Sequence, residues 1–120
     1  MKRYRRIFSE RKEELIWKKA PNNLISSQLF LDDDIVEEKR REKDYEIIVS
    51  PVKEGDEEYL ILTDGHHSLK ASLLDNKKPI LLYDKSAQKH VNEMGLEEYL
   101  DSEMIDTSWY YVKTGKEVGY

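Results

Sequence analysis

At 120 residues, with apolar and charged residues at 38% each and a net charge of −5, the chain has the size of one domain with a heavily solvated surface. It has no cysteine, which excludes disulfides, thiolate metal sites and cysteine nucleophiles and makes the cytoplasm the default location. No apolar run approaches the length of a membrane span, and the basic start Met1-Lys2-Arg3-Tyr4-Arg5-Arg6 lacks the apolar stretch of a signal peptide, since charge resumes at Glu10.

In chain order, Ser9 is a candidate N-cap, and Glu10, Glu13 and Glu14 crowd the turn after it, where a helix dipole favours negative charge. Phe8, Leu15, Ile16 and Ala20 give that helix an apolar stripe, and Pro21-Asn22-Asn23 ends it. Residues 1–23 are therefore expected to form a basic N-terminal arm or helix, and 24–120 the folded domain. Such an arm can bind nucleic acid or an acidic partner, or simply be solvated. The more acidic remainder repels a phosphate backbone wherever no local patch overrides it.

Leu24 to Leu31 is a short apolar stretch, either a strand or an irregular docking segment. Asp32-Asp33-Asp34 caps a helix through Ile35 and Val36 into Glu37–Lys43, whose second half is almost wholly polar. Next comes the clearest pattern, a hairpin. Tyr45 to Val52 is rich in β-branched residues, Lys53-Glu54-Gly55-Asp56 is a turn, and Glu57 to Thr63 is a second strand. The unbroken run Tyr59-Leu60-Ile61-Leu62 predicts a strand buried on both faces.

Asp64-Gly65 stops that strand, and Ser68 to Asn76 predicts a helix with Leu69, Leu73 and Leu74 inward. Ile80-Leu81-Leu82-Tyr83 then reads as another buried strand. The strand–helix–strand unit is expected to make its two strands parallel neighbours. A further helix from about Asp84–Ser86 towards Leu100, interrupted or bent at Gly95, turns Val91, Met94, Tyr99 and Leu100 inward, and Trp109-Tyr110-Tyr111-Val112 is a final short strand before a Gly-containing tail. The predicted class is α/β, or α+β with a small mixed sheet.

Chemistry concentrates at Asp64-Gly65-His66-His67-Ser68. A buried strand that turns at glycine straight into a helix aims unpartnered amides and the positive end of the helix dipole into the turn, which favours an anion such as phosphate. Gly65 permits the sharp turn and leaves room for a ligand. His66 and His67 could contact a phosphoryl oxygen or act as acid and base near neutral pH, and Ser68 and Lys70 extend the site. Alternatively the two imidazoles cap the helix and bond to neighbouring loops. No metal site is expected, because Asp64, a turn histidine and the distant His90 make a poor ligand set. Asp32, Asp33, Asp34, Glu37 and Glu38 suit a solvated helix cap better than a magnesium site. Trp109, Tyr110 and Tyr111 suit core and edge positions better than base stacking.

The stretch Leu62-Thr63-Asp64-Gly65-His66-His67-Ser68-Leu69-Lys70-Ala71-Ser72, followed by Pro79-Ile80-Leu81-Leu82-Tyr83, resembles the ParB-like domains of the ParB/sulfiredoxin superfamily. It is most similar to the ParB-like nuclease branch, which carries an Asp-Gly-His-His turn. Ile25-Ser26-Ser27-Gln28-Leu29-Phe30 and Ser50-Pro51-Val52-Lys53 resemble flanking strands of the same domain, so the likeness spans Leu24 to Tyr83.

The resemblance implies a sulfiredoxin-like α/β fold over 24–120 and a nucleotide- or phosphate-binding turn at Asp64, Gly65, His66, His67, Ser68 and Lys70. It also implies a nucleoside di- or triphosphate with Mg²⁺ as cofactor, and nuclease or phosphotransferase chemistry at His66 and His67. Gly65-His66-His67-Ser68 aligns with Gly-Cys-His-Arg of sulfiredoxins and Gly-Glu-Arg-Arg of partition proteins. His66 thus stands at the sulfiredoxin nucleophile, which removes that reaction, and Ser68 at the arginine, which removes the strongest phosphate clamp. The helix-turn-helix domain of partition proteins is not expected here. The rival expectation is a non-catalytic interaction protein that keeps the fold. It would be a small acidic inhibitor or regulator of a nucleic-acid enzyme, of the kind phages and other mobile elements carry, with a protein as its partner.

Overall fold

The computed structural model describes residues 17–119 in full and the strand Tyr4–Arg6 through its backbone. The helix expected from Ser9 lies mostly outside the described residues. Its last part, 17–20, is a turn closed by the Ala20 amide on the Trp17 carbonyl at 2.9 Å.

The elements are β1 (Tyr4–Arg6), β2 (Leu24–Ser26), β3 (Phe30–Asp32), α1 (Asp33–Glu42), β4 (Glu46–Glu54), β5 (Glu57–Asp64), α2 (His66–Leu74), β6 (Ile80–Tyr83), α3 (Ala87–Met94), α4 (Leu96–Glu103) and β7 (Tyr110–Tyr111). They form a small α+β domain around a mixed five-stranded sheet of order β6-β4-β5-β2-β7. β1 and β3 pair separately and antiparallel. Among the described residues no helix is long and apolar enough to cross a membrane.

β5 is the middle of the sheet. It pairs antiparallel with β4 and parallel with β2, and strand alternation sends its side chains to two different cores. Leu60 and Leu62 join Leu24, Ile47, Val49, Val36, Leu69 and Ala71 on one face. Tyr59 and Ile61 join Ile25, Val52, Val91, Leu96, Leu100 and Trp109 on the other. Both faces being covered is why Tyr59–Leu62 is apolar without alternation. Trp17 and Ala20 lie in the first core, so packing reaches back beyond residue 24.

Pro51 sits inside β4, opposite Leu60. The Lys53 amide, two residues on, leaves the sheet to donate to Gln88 Oε1 at 2.6 Å. Pro51 nitrogen faces the same way, past the end of β6, where no ladder bond is lost. α1 begins as expected: Asp32 Oδ1 accepts from the Asp34 amide at 2.9 Å, and Lys43, at φ 54°, ends the helix. Gly95, at φ 87°, separates α3 from α4.

Three expectations are corrected. First, β6 is not a neighbour of β5. It pairs parallel with β4 and so runs opposite to β5. With β4 and β2 on the two edges of β5 and β7 beyond β2, β6 lies on the outer edge of β4. Second, β6 is therefore an exposed edge strand, with Ile80 53%, Leu82 43% and Tyr83 61% accessible. Third, Leu74 and Met94 point outward, each being the last residue of its helix.

Leu62→Ala, which empties a buried site, is expected to cost about 3 kcal/mol in urea unfolding, against roughly 0.5 kcal/mol or less for Leu74→Ala. Equal losses at the two positions would contradict this packing.

Candidate functional site at the Gly65 turn

The ladder between β4 and β5 shifts register after Ile48, which brings Asp64 opposite that residue at the end of β5. Asp64 Oδ1 accepts from the Gly65 amide at 2.7 Å. Gly65 then takes φ 92° and α2 starts at His66, two residues earlier than the sequence suggested. A Cβ on Gly65 would lie 2.8 Å from both the Glu46 carbonyl oxygen and the Ile47 Cα. The space a side chain would fill is thus taken by the backbone of β4, not by room for a ligand. Glycine is required here by a positive φ and by close packing together.

His66 is buried on the face of the sheet that α2 covers, with Nε2 2.7 Å from Ser26 Oγ of β2. Ser26 Oγ already accepts from the Gln28 amide at 3.2 Å, which leaves its proton to point at a neutral His66 nitrogen. Burial pushes the His66 imidazole down to about 4, with His67 adding in the same direction and Asp64 opposing. His67 turns the other way: its Nε2 accepts from the Asp32 amide at 3.1 Å. Each imidazole therefore fastens the first turn of α2 to a different strand.

Asp64, Gly65, His67 and Ser68 line one groove of about 260 Å³ together with Lys39, Asp44, Glu46, Ile48 and Leu82. His66 lies beneath it, and Lys70 is one turn further along α2, outside it. The groove is acidic. Lys39 is bound to Asp44 at 3.0 Å. Burial alone would raise the Asp44 carboxyl, but Lys39 and the Glu46 amide hold it below the usual range. Glu46 and Asp64 add two further carboxylates. A phosphate here would meet three negative groups and a lysine already engaged. In its favour stand the first amides of α2, to which Gly65 provides no side-chain cap.

The other candidates lie apart from the turn. His90, on α3, stacks on Tyr99 with centroids 5.9 Å apart. Among the described residues no three His, Asp or Glu side chains converge as a metal site would require. Asp32 caps α1, and Glu37 pairs with Arg40 at 3.1 Å. Trp109 and Tyr110 are core residues. The Trp109 indole donates to the Leu100 carbonyl at 2.8 Å, and the Tyr110 hydroxyl donates to the Gln28 carbonyl at 2.8 Å, so neither ring is open to a base.

Two depressions were not foreseen from the sequence. The larger, about 480 Å³, is lined by Glu54, Glu97, Glu98 and Asp101 beside Met94 and Leu96. The other, about 310 Å³, is lined by Lys18, Lys19, Lys77 and Lys78 with Trp17, Leu73 and Asn76. Its only signal in the sequence is a pair of Lys-Lys doublets, which share one cavity because the 17–20 turn packs beside the end of α2.

Comparison with protein-family models, curated proteins and solved structures finds no match. What can act at the site is set by the geometry of the turn itself. That geometry gives neither histidine a free path to act as a general base in its observed hydrogen bonding. One is buried against a serine, and the other spends its accepting nitrogen on a backbone amide.

Two outcomes follow. Gly65→Ala is expected to lower stability by at least about 2 kcal/mol in urea titration, from left-handed strain plus the clash with β4. For His66 the native state refuses a proton that the unfolded chain accepts between pH 6.5 and about 4. Stability is thus complete above pH 6.5 and lost as pH falls through that window, by up to about 3 kcal/mol. His66→Gln should flatten the slope between pH 6.5 and 4, and an unchanged slope would mean that His66 is not the titrating group.

Proposed function

We propose that the chain is a non-catalytic interaction module, an acidic protein-binding domain that uses its fold as a scaffold. The observation that carries this reading is the double anchoring of the turn, His66 on Ser26 and His67 on the Asp32 amide. Side chains spent on holding α2 to β2 and β3 are structural fasteners. Two acid-lined depressions beside apolar residues then offer surfaces for a basic partner. The resemblance to ParB-like domains fits this reading as a kept fold with altered use. Ser68 stands where the phosphate-clamping arginine is expected, and Asp44, Glu46 and Asp64 rim the turn. A regulator that occupies the basic groove of a nucleic-acid enzyme is the kind of protein this charge pattern suits.

A second reading, a ligand bearing phosphate, is favoured by one observation: the cavity ringed by Lys18, Lys19, Lys77 and Lys78. A nucleoside di- or triphosphate, with or without Mg²⁺, or a nucleic-acid phosphate would find its counter-charge there more readily than at Gly65. Nuclease or phosphotransferase activity at His66 and His67 would further require both imidazoles to leave their present partners.

One screen separates the readings, because a ligand that binds only the folded state raises the melting temperature. With ATP, ADP, CTP, GTP and pyrophosphate, with and without Mg²⁺, the melting temperature is expected to stay unchanged. A rise lost in His67→Ala would overturn the interaction reading in favour of the turn. A rise lost in the double variant Lys77→Ala, Lys78→Ala would overturn it in favour of the lysine cavity.

A further inference from the structure

β6 is the outer strand of the sheet, and its backbone is only half used. The Ile80 amide donates to the Tyr45 carbonyl and the Asp84 amide to the Val49 carbonyl, both at 2.9 Å, so residues 80, 82 and 84 face β4. Strand alternation turns the N–H and C=O of Leu81 and Tyr83 to the outer edge, where no strand lies among the described residues. The side chains there are apolar and exposed: Ile80 and Leu82 share one face, and Ile48 on β4 sits beside Leu82. α3 and α4 cover Val52, Tyr59 and Ile61 further along the same face, not this corner. Natural sheets usually blunt such an edge, and one left open and apolar is a template for a further strand.

We propose that this edge docks an extended segment of a partner protein, alternately basic and apolar, which adds to the sheet beside β6 as a sixth strand. The proposal rests on the interaction-module reading and names its surface. The main-chain groups of Leu81 and Tyr83 supply the ladder, and Ile80, Leu82 and Ile48 supply an apolar seat. Charge decides the occupant. The groove that Leu82 and Ile48 share carries Glu46 and Asp64, neither of which forms an ion pair among the described residues. A lysine or arginine on the incoming strand reaches across Ile80 to Glu46, and Asp64, two strands in from β6, adds to the same negative field. A second copy of this chain instead brings its own Glu46 and Asp64 to the same corner, and a further net charge of −5.

The test uses the full-length chain labelled with ¹⁵N and a seven-residue peptide alternating lysine and valine. At saturation the peptide is expected to slow hydrogen exchange of the Leu81 and Tyr83 amides by about tenfold or more, as ladder bonds do. A peptide of the same length alternating glutamate and valine leaves them unchanged. Glu46→Gln, an exposed substitution, is expected to weaken the lysine peptide roughly two- to fivefold, the range of a surface ion pair. Binding without protection of Leu81 and Tyr83 overturns the proposal, as does no binding at millimolar peptide. Protection that is present without peptide and vanishes on dilution also overturns it, in favour of a second copy. Failure here with no nucleotide response leaves the interaction reading standing on another surface, whereas a nucleotide response at the turn removes that reading whatever the edge does.

Discussion

The contact between Gly65 and the backbone of β4 sets the position of almost everything near the turn. With only hydrogen on its α-carbon, Gly65 lets α2 begin against Glu46 and Ile47, closer than any side chain would allow. From that start the two histidines diverge to β2 and β3. The bond to β3 continues the connection, because the Asp32 whose amide reaches His67 also caps α1 with its carboxylate. At its other end α1 returns to α2 through Arg40, which binds Asp75 at 2.7 Å, while the Tyr45 hydroxyl holds the same carboxylate at 2.8 Å. The Tyr45 hydroxyl and Arg40 together keep the Asp75 carboxyl below its usual range. The result is a closed circuit in which α2 is tied at its first turn to the cap of α1 and at its last turn to the body of α1. Little freedom remains at the turn for a catalytic group to move.

Charge is sorted around that circuit. Carboxylates rim the two depressions at Gly65 and Gly95, whereas lysines collect where the 17–20 turn meets the end of α2. The sorting matters more than the net value, since exposed charges act over roughly 10 Å at moderate salt. The two readings of function thus rest on different residues, Asp44, Glu46 and Asp64 for a basic partner and the four lysines for an anion.

Much of the fold could be read from the residues because local rules decided it. The β4–β5 hairpin follows from β-branched strands around Gly55-Asp56, α1 from the carboxylate of Asp32, and the division of α3 from α4 from Gly95. Strand order was not readable, because it depended on β2, three residues long, taking the second edge of β5. Once that edge is filled β6 has to lie outside β4, and its apolar run, which reads as a buried strand, becomes an exposed one. Of the residues singled out at the turn, Asp64, Gly65, His67 and Ser68 line one groove. What each side chain does there was not readable. The partners of the histidines, Ser26 and the Asp32 amide, come from 40 and 35 residues upstream. No local pattern announces such pairs. The alternative in which the imidazoles cap the helix and bond to neighbouring loops also differs from the structure: α2 has no side-chain cap, and the partners lie on β2 and β3.

An open apolar edge is also a hazard, and β6 carries the devices that contain it. The strand is four residues long, and Pro79 before it has no amide to donate, which shortens any ladder that could form. Lys77 and Lys78 stand before the strand and Asp84 and Lys85 after it, the flanking charges that discourage indiscriminate pairing of apolar strands. Asp84 is held there in its ionised form, its carboxyl kept below the usual range by hydrogen bonds from Ser86. A strand added to such an edge gains only the main-chain groups of two residues, too little to hold an unmatched segment against its ordering entropy. Selectivity then has to come from side chains. At this corner those are apolar seats bordered by the carboxylates of Glu46 and Asp64. A short edge with strong neighbours discriminates better than a long one, because most of the binding free energy comes from the groups that distinguish one partner from another.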